Sequence, residues 1–238
     1  MRKAPLITID GVASSGKTTL GRLLANEWGW AIIDTGAYFR VTSAILGEEH
    51  PLGLCSEEFP AAALKAAQIV AAHFRVAYDG DNDKVGWMGT DDSPVTDAKL
   101  RRPEALRYLS EVAATPDVRA VLTERIRTLG DELLASERGV VGVGRDCGTV
   151  IWPNADAKFY LEAPVEIRAM RRQRQFGDHH DDLMARDLAD STRETAPMRR
   201  AEDAVSLDSH RYSPEELLTQ IQDYLQRDKS LRIGEFAI

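Results

Sequence analysis

The chain has 238 residues, 43% of them hydrophobic, and carries 30 Lys+Arg against 38 Asp+Glu for a net charge of −8. Such a composition describes one globular domain, or one core with an inserted lobe, and excludes a disordered chain. The acidic balance argues against a nucleic-acid polymer or an anionic membrane as partner, and no run reaches the ~20 apolar residues of a membrane span.

The predicted elements alternate. Leu6–Asp10 reads as a short buried strand, and after Gly11–Gly16 a helix covers Lys17–Trp28, with Leu20, Leu23, Leu24 and Trp28 at helical spacing. Ala31–Ile33 is a second strand, followed by Asp34-Thr35-Gly36 and a helix over about 37–46. Residues 51–59 are loop-like and Ala61–Ala72 is helical. Arg75–Tyr78 and Lys84–Met88 form a hairpin around the turn-rich tip 79–83. Helices over 103–114 and 117–135 are separated by Pro116. Gly139–Gly144 and Lys158–Leu161 are strands, then come an Arg-dense helix over 164–175, a break at Phe176-Gly177-Asp178 and a polar helix over about 180–194. A last strand at Ala204–Leu207 precedes an amphipathic helix over Pro214–Gln226. Strands alternating with helices predict an α/β domain around a mostly parallel sheet. Residues 60–115 interrupt that rhythm and read as an inserted lobe.

Gly11-Val12-Ala13-Ser14-Ser15-Gly16-Lys17-Thr18 satisfies G-x-x-x-x-G-K-[ST] between a predicted strand and a predicted helix, which is the context a phosphate-binding loop requires. Gly11 and Gly16 let successive N–H groups turn inward toward phosphate oxygens, and the helix adds its positive end. Lys17 is placed to reach the β/γ-phosphates and Thr18 to ligate Mg²⁺, so a nucleoside triphosphate is the expected ligand. No Asn-Lys-x-Asp element for reading guanine follows. The aspartate of the first strand opens the loop itself, so it does not supply a separate Walker B strand.

Downstream stand Arg/Asp clusters, as phosphoryl transfer between two polyanions demands. Twenty-three of the 30 cations are Arg, whose planar fork suits phosphate, although GC-rich coding produces the same bias. Asp34-Thr35-Gly36-Ala37-Tyr38-Phe39-Arg40 follows the second strand, and Gly144-Arg145-Asp146-Cys147-Gly148 follows the strand over 139–144; both sit where α/β sheets bind ligands. Arg186, Asp190 and Arg193 recur at i, i+4 and i+7 and so share a helix face, an arrangement that a solvated salt-bridge face also produces.

In this order the motifs resemble the bacterial-type cytidylate kinases, from about residue 6 to 226. Beside the generic loop, the Gly144-Arg145-Asp146-x-Gly148-Thr149-Val150 and Arg186-Asp187…Asp190…Arg193…Ala196-Pro197 segments are specific to that family. The resemblance implies a P-loop nucleoside-monophosphate kinase fold with a five-stranded parallel core (residues 1–59 and 116–238), an acceptor-binding insertion at 60–115 and a lid at about 172–186. It implies transfer of the γ-phosphoryl group of ATP to CMP or dCMP with Mg²⁺. By matched position, Gly11, Ala13, Ser14, Ser15, Gly16, Lys17, Thr18 and Thr19 would hold ATP. Arg168, Arg171 and Arg172 would neutralise its phosphates. Thr35, Phe39, Arg40 and Arg145 would lie at the acceptor phosphate, and Ser110, Arg119 and Asp146 would read the cytosine edge, whose amino group donates while N3 accepts. Arg186 and Asp190 would contact the sugar hydroxyls, with Arg193 beside the transferring group. Lys17, Arg145, Arg186 and Arg193 are the catalytic candidates.

The chain departs from the family's pattern in four places: Phe39 stands where a Tyr precedes Arg40, Val143 stands where a carboxylate precedes Gly144, the lid between Arg172 and Arg186 is shorter than usual and carries Gly177, His179 and His180, and Leu100-Arg101-Arg102 only loosely matches the family's I-R pair. A related kinase of a modified cytidylate or other small phosphorylated acceptor, or a non-catalytic nucleotide binder, would share these features. His179-His180-Asp181-Asp182 reads as an exposed lid turn rather than a metal cluster. Trp28, Trp30, Trp87 and Trp152 read as packing residues and Cys147 as a small buried side chain. Cys55 and Cys147 are far apart without C-x-x-C spacing, which suits a reducing cytosol. The apolar run at Leu6–Ile9 is too short for a signal-peptide core, so a cytoplasmic monomer acting on small molecules is expected.

Overall fold

The structure, a computed structural model, describes residues 4–49, 57–76, 84–88, 93–136, 138–176 and 180–227. The chain divides into two compact units, residues 1–33 with 129–238, and residues 34–128.

The first unit is built on five strands, β1 (Leu6–Gly11), β2 (Ala31–Asp34), β6 (Val140–Val143), β7 (Ala157–Glu162) and β8 (Val205–Asp208), in the order β2-β6-β1-β7-β8. β1 runs parallel to β6 and β7, and β7 parallel to β8. Parallel neighbours need crossovers, and helices supply them. α1 (Lys17–Trp28) leaves β1 and α8 (Val165–Phe176) leaves β7, while α10 (Pro214–Arg227) follows the last strand, β8, and packs beside α1. The strands read as unbroken apolar runs because both faces are covered: β1 and β6 are buried at every position. One sheet face presents Ile7, Ile9, Val141, Val143, Phe159, Leu161 and Leu207 at a spacing of two. These meet Leu20, Leu24 and Trp28 of α1 and Leu217, Ile221 and Leu225 of α10 at helical spacing. Each such fully buried side chain contributes about 1.5–3 kcal/mol against exposure. α10 begins with a reciprocal cap, in which Ser213 N donates to Glu216 and Glu216 N donates to the Ser213 hydroxyl.

The second unit is mostly helical. α2 (Thr35–Glu49) packs against α3 (Phe59–His73), α5 (Pro103–Leu106) and α6 (Leu109–Ala114). Tyr38 is fully buried and meets the Phe74 ring edge-on at 5.0 Å. The expected hairpin gains a strand: β3 (Phe74–Val76), β4 (Lys84–Met88) and β5 (Ser93–Thr96) form an antiparallel sheet, with α4 (Asp97–Leu100) capped by the Thr96 hydroxyl. β5 was hidden by Pro94, which usually speaks against a strand and is tolerated on this edge. The hairpin tip at 79–83 lies outside the described residues. The helix expected over 103–114 is broken into α5 and α6, and α7 (Pro116–Ala135) starts at its proline. A π-helical turn at Cys147–Ile151, which no periodicity announces, follows β6.

Gly11 fixes where β1 ends. Its φ is +148°, and a Cβ there would stand 2.1 Å from the Leu161 carbonyl oxygen of the neighbouring strand. Gly11→Ala therefore either breaks the β1–β7 pairing or strains it. We expect a loss of about 3 kcal/mol or more, read as a lowered midpoint in urea unfolding. No helix among the described residues is long and apolar enough to cross a membrane.

Candidate active site

The phosphate loop connects β1 to α1 through Ser14 at φ 56° and Gly16 at φ 94°. The residue before α1 is Gly16, which has no side chain to cap the helix, so the positive end of α1 follows directly on the loop. The Lys17 ammonium folds back over the loop, donating to the Val12 carbonyl at 2.6 Å and the Ser15 hydroxyl at 3.4 Å. Ser15 is buried, Thr18 half-buried, and Gly16 and Thr19 are exposed.

Beside the loop, Asp10 grips the turn after β6. One carboxylate oxygen accepts the Cys147 N–H at 2.8 Å and the other the Gly148 N–H at 2.7 Å, while Gly144 N donates to the Ile9 carbonyl at 3.2 Å. A Cβ on residue 148 would come within 2.9 Å of the Thr8 hydroxyl, so glycine lets the turn approach the sheet. The turn then closes with π-type bonds, Ile151 N to the Asp146 carbonyl and Trp152 N to the Cys147 carbonyl. This holds the backbone of Arg145 and Asp146 at the end of β1.

Asp10 is 4% exposed. Burial pushes its carboxyl up to about 6, against the pull of the Gly148 and Cys147 amides, and the nearby Asp146 adds to the rise. A carboxyl raised above its unfolded value of 3.8 binds its proton more tightly in the folded chain, so its contribution to stability falls as pH rises from about 4 to 6. The whole step is about 3 kcal/mol. Urea unfolding across this range should show that slope in the wild type and lose it in Asp10→Asn; parallel slopes would remove Asp10 as their source.

The segment after β7 and α8 returns to the same place. α9 (His180–Thr192) carries Arg186, Asp187 and Asp190. Arg145 donates to the Gly11 carbonyl and to Asp187, each at 3.3 Å, and its Nε lies 3.4 Å from Asp190. Arg168 donates to the Ala13 carbonyl at 3.1 Å and to Asp187, whose other oxygen accepts the Ala13 N–H at 3.0 Å. Arg193, one residue past the end of α9, pairs with Asp190 at 3.3 Å and Asp146 at 3.6 Å and donates to the Ala196 carbonyl. Ala196 adopts φ 53°, and Met198 N donates to the Asp190 carbonyl, so the Ala-Pro step folds back onto the helix end. Arg172 is buried and Arg186 half-buried. Arg171 differs from the two arginines around it: its guanidinium is spent on the Ser209 hydroxyl and carbonyl, at 3.0 and 2.6 Å, and secures the turn after β8.

In the second unit Arg40 pairs with Asp34 at 2.9 Å, and Gly36 makes room for it, since a Cβ there would lie 2.8 Å from the guanidinium. Arg119 is buried, donates to the Ala113 carbonyl at 3.1 Å and lies over the Phe39 ring at 5.1 Å. Thr35 is buried at the start of α2, and Ser110 is exposed on α6. The first unit thus gathers Lys17, Arg145, Arg168 and Arg193 with Asp146, Asp187 and Asp190 around a phosphate loop. Cations set beside such a loop can neutralise transferring phosphate.

The family model described as "Cytidylate kinase" matches residues 7–227. The chain is 38% identical over 235 residues to the cytidylate kinase of Photobacterium profundum, covering 94% of this chain and 96% of that protein. It is 37% identical over 232 residues to that of Pseudomonas savastanoi pv. phaseolicola, covering 92% and 94%. The chain belongs to the cytidylate kinase family.

The departures from the cytidylate kinase pattern at Phe39 and Val143 each have a local reason. Phe39 is 6% exposed and serves as an aromatic platform for the Arg119 guanidinium, a use that needs no phenol. Tyr38 does not take over a phosphate contact, because its ring is fully buried against Phe74. Val143 is 1% exposed and belongs to the core over α1, where a carboxylate would need buried partners. Trp28, Trp30, Trp152 and Cys147 are buried, while the Trp87 side chain and the side chains of His179–Asp182 lie outside the described residues. Sequence reasoning passed over Asp10 and Asp187. A charged residue closing an apolar strand has to be partnered when buried, and that signal could have exposed Asp10. Asp187 stood between the two residues that the helical spacing picked out.

Proposed function

We propose that this chain is an ATP-dependent nucleoside monophosphate kinase that transfers the γ-phosphoryl group of ATP to CMP or dCMP. Family membership supports the reaction and the substrate class. The observation that carries the reading is the placement of Arg145 and Arg168 on the rim of the phosphate loop, each bonded to a loop carbonyl.

In this reading the loop amides from Ala13 to Thr19 and the Lys17 ammonium hold the β- and γ-phosphates, and Arg168 and Arg172 add charge from α8. Arg40 and Arg145 hold the acceptor phosphate, with Thr35 and Phe39 beside them. Ser110, Arg119 and Asp146 read the cytosine edge, Arg186 and Asp190 the sugar, and Arg193 stabilises charge on the group in flight. An acceptor phosphate oxygen is already an anionic nucleophile, so no general base is needed; the side chains position and neutralise. The oxygen bonds to the γ-phosphorus while the bond to the β–γ bridging oxygen breaks, and ADP leaves with that electron pair. Residues 60–115 serve as the acceptor-binding insertion and about 172–186 as the lid that excludes water.

Magnesium fits the donor set. Among the described residues no group of three His, Cys, Asp or Glu side chains is arranged to hold a metal. Mg²⁺ takes one or two protein oxygens beside phosphate oxygens and water. The half-buried Thr18 hydroxyl in the first turn of α1 would hold it. The ion would supply charge neutralisation to the phosphates.

A coupled assay of ADP release across the nucleoside monophosphates tests the reading. Turnover is expected with CMP and dCMP and far less with AMP, GMP or UMP. Turnover with a different acceptor alone would reassign the substrate, and ATP binding without any acceptor-dependent turnover would remove the activity.

A further inference from the structure

The Asp187 carboxylate is bonded to the phosphate loop and to the two arginines beside it. Its two oxygens take three donors: the Ala13 N–H at 3.0 Å, Arg145 at 3.3 Å and Arg168. One donor is a backbone amide of the phosphate loop itself. The other two are guanidiniums bonded to the loop carbonyls of Gly11 and Ala13. An amide and two arginines converging on paired anionic oxygens is the donor set that a terminal phosphate calls for. The Asp187 side chain is only 15% exposed, and that of Arg168 8%. These contacts are therefore poorly screened, and a carboxylate and a phosphate cannot share them without like-charge repulsion.

We propose that Asp187 is a positioning residue that stands in for the γ-phosphate. With no donor bound, its carboxylate holds Arg145 and Arg168 at the loop and satisfies the Ala13 amide. An arriving γ-phosphate takes over the Ala13 amide and Arg168 and expels the carboxylate, which frees α9 from the loop and releases Arg145 to the acceptor phosphate. ADP has no γ-phosphate and leaves the latch closed. The exchange makes the position of α9, the helix bearing Arg186 and Asp190, respond to the terminal phosphate and not to the nucleotide as such. A ligand moves such an equilibrium only by its differential affinity for the two states, and here the γ-phosphate supplies it.

This inference rests on the phosphate-binding roles proposed above, and calorimetric titration of ATP and ADP separates the two. Asp187→Ala and Asp187→Asn remove the competing charge from a helix position, where Ala costs little by itself. In both variants ATP is expected to bind on the order of tenfold more tightly, the scale of one charge-assisted hydrogen bond. ADP affinity should change less than about threefold, so the ATP:ADP ratio of affinities rises. Hydrogen exchange of the α9 amides in the wild type should rise with a non-hydrolysable ATP analogue and not with ADP. An unchanged ratio, or weaker ATP binding in both variants, overturns the exchange and leaves Asp187 as a permanent support for the arginines. Failure of the wild-type protein to bind ATP would instead overturn the kinase reading.

Discussion

Lys17→Ala should lower kcat/KM at least about a thousandfold, with little change in melting temperature. The ammonium is the one cation carried by the phosphate loop, and it is to follow charge onto the β/γ-bridge as that bond breaks. The Lys17 ammonium donates to the Val12 carbonyl and the Ser15 hydroxyl, at 2.6 and 3.4 Å. Both acceptors lie within the loop, so losing these two bonds takes little from stability. A factor of a thousand corresponds to about 4 kcal/mol of transition-state stabilisation, within reach of a charge acting where water is excluded. Steady-state kinetics and a thermal melt decide the matter. A fall in melting temperature that matches the loss of activity would make Lys17 a folding residue.

Arg145→Ala should lower kcat by about a hundredfold or more while the affinity for ATP stays within a few-fold of the wild type. The guanidinium touches the Gly11 carbonyl, Asp187 and Asp190, which places it between the loop and α9. Its backbone is fixed by the Asp10 clasp on the following residues and does not depend on the side chain. The substitution therefore removes charge without loosening the turn. Arg145→Lys should recover only part of the rate, since a point charge replaces a planar fork. Equal losses in rate and in ATP affinity would show that Arg145 holds the site together rather than acting on the acceptor.

The sheet was legible because its strands are short apolar runs set between turn residues, and the loop motif announced where β1 gives way to α1. Spacing was less informative where tertiary contacts override it. Pro94 concealed β5, and the π-helical turn at Cys147–Ile151 exists because two amides reach an aspartate 137 and 138 positions away, a contact no local pattern encodes. Among the site residues, those on motifs were visible as motifs. Arg171 has the same spelling as its neighbours Arg168 and Arg172, yet it points to Ser209, and only the turn after β8 reveals this. Phe39 read as a missing phenol until Arg119 was found above its ring. Asp187 was visible only as part of the Arg186-Asp187 motif, with no role of its own, since charge patterning does not tell which carboxylate meets a backbone amide.

The Asp10 carboxylate holds main chain, and every residue except proline offers the same N–H. Change at position 147 is thus restrained by volume and by the thiol's own bond to Asp10, and at 148 by the space beside Thr8, while the backbone bonds that present Arg145 and Asp146 stay available. Position 10 has no such latitude: an amide there would face one of the two N–H groups with a donor. Tolerance and intolerance to change are divided unevenly across this contact, and the intolerant partner is the one buried in the strand.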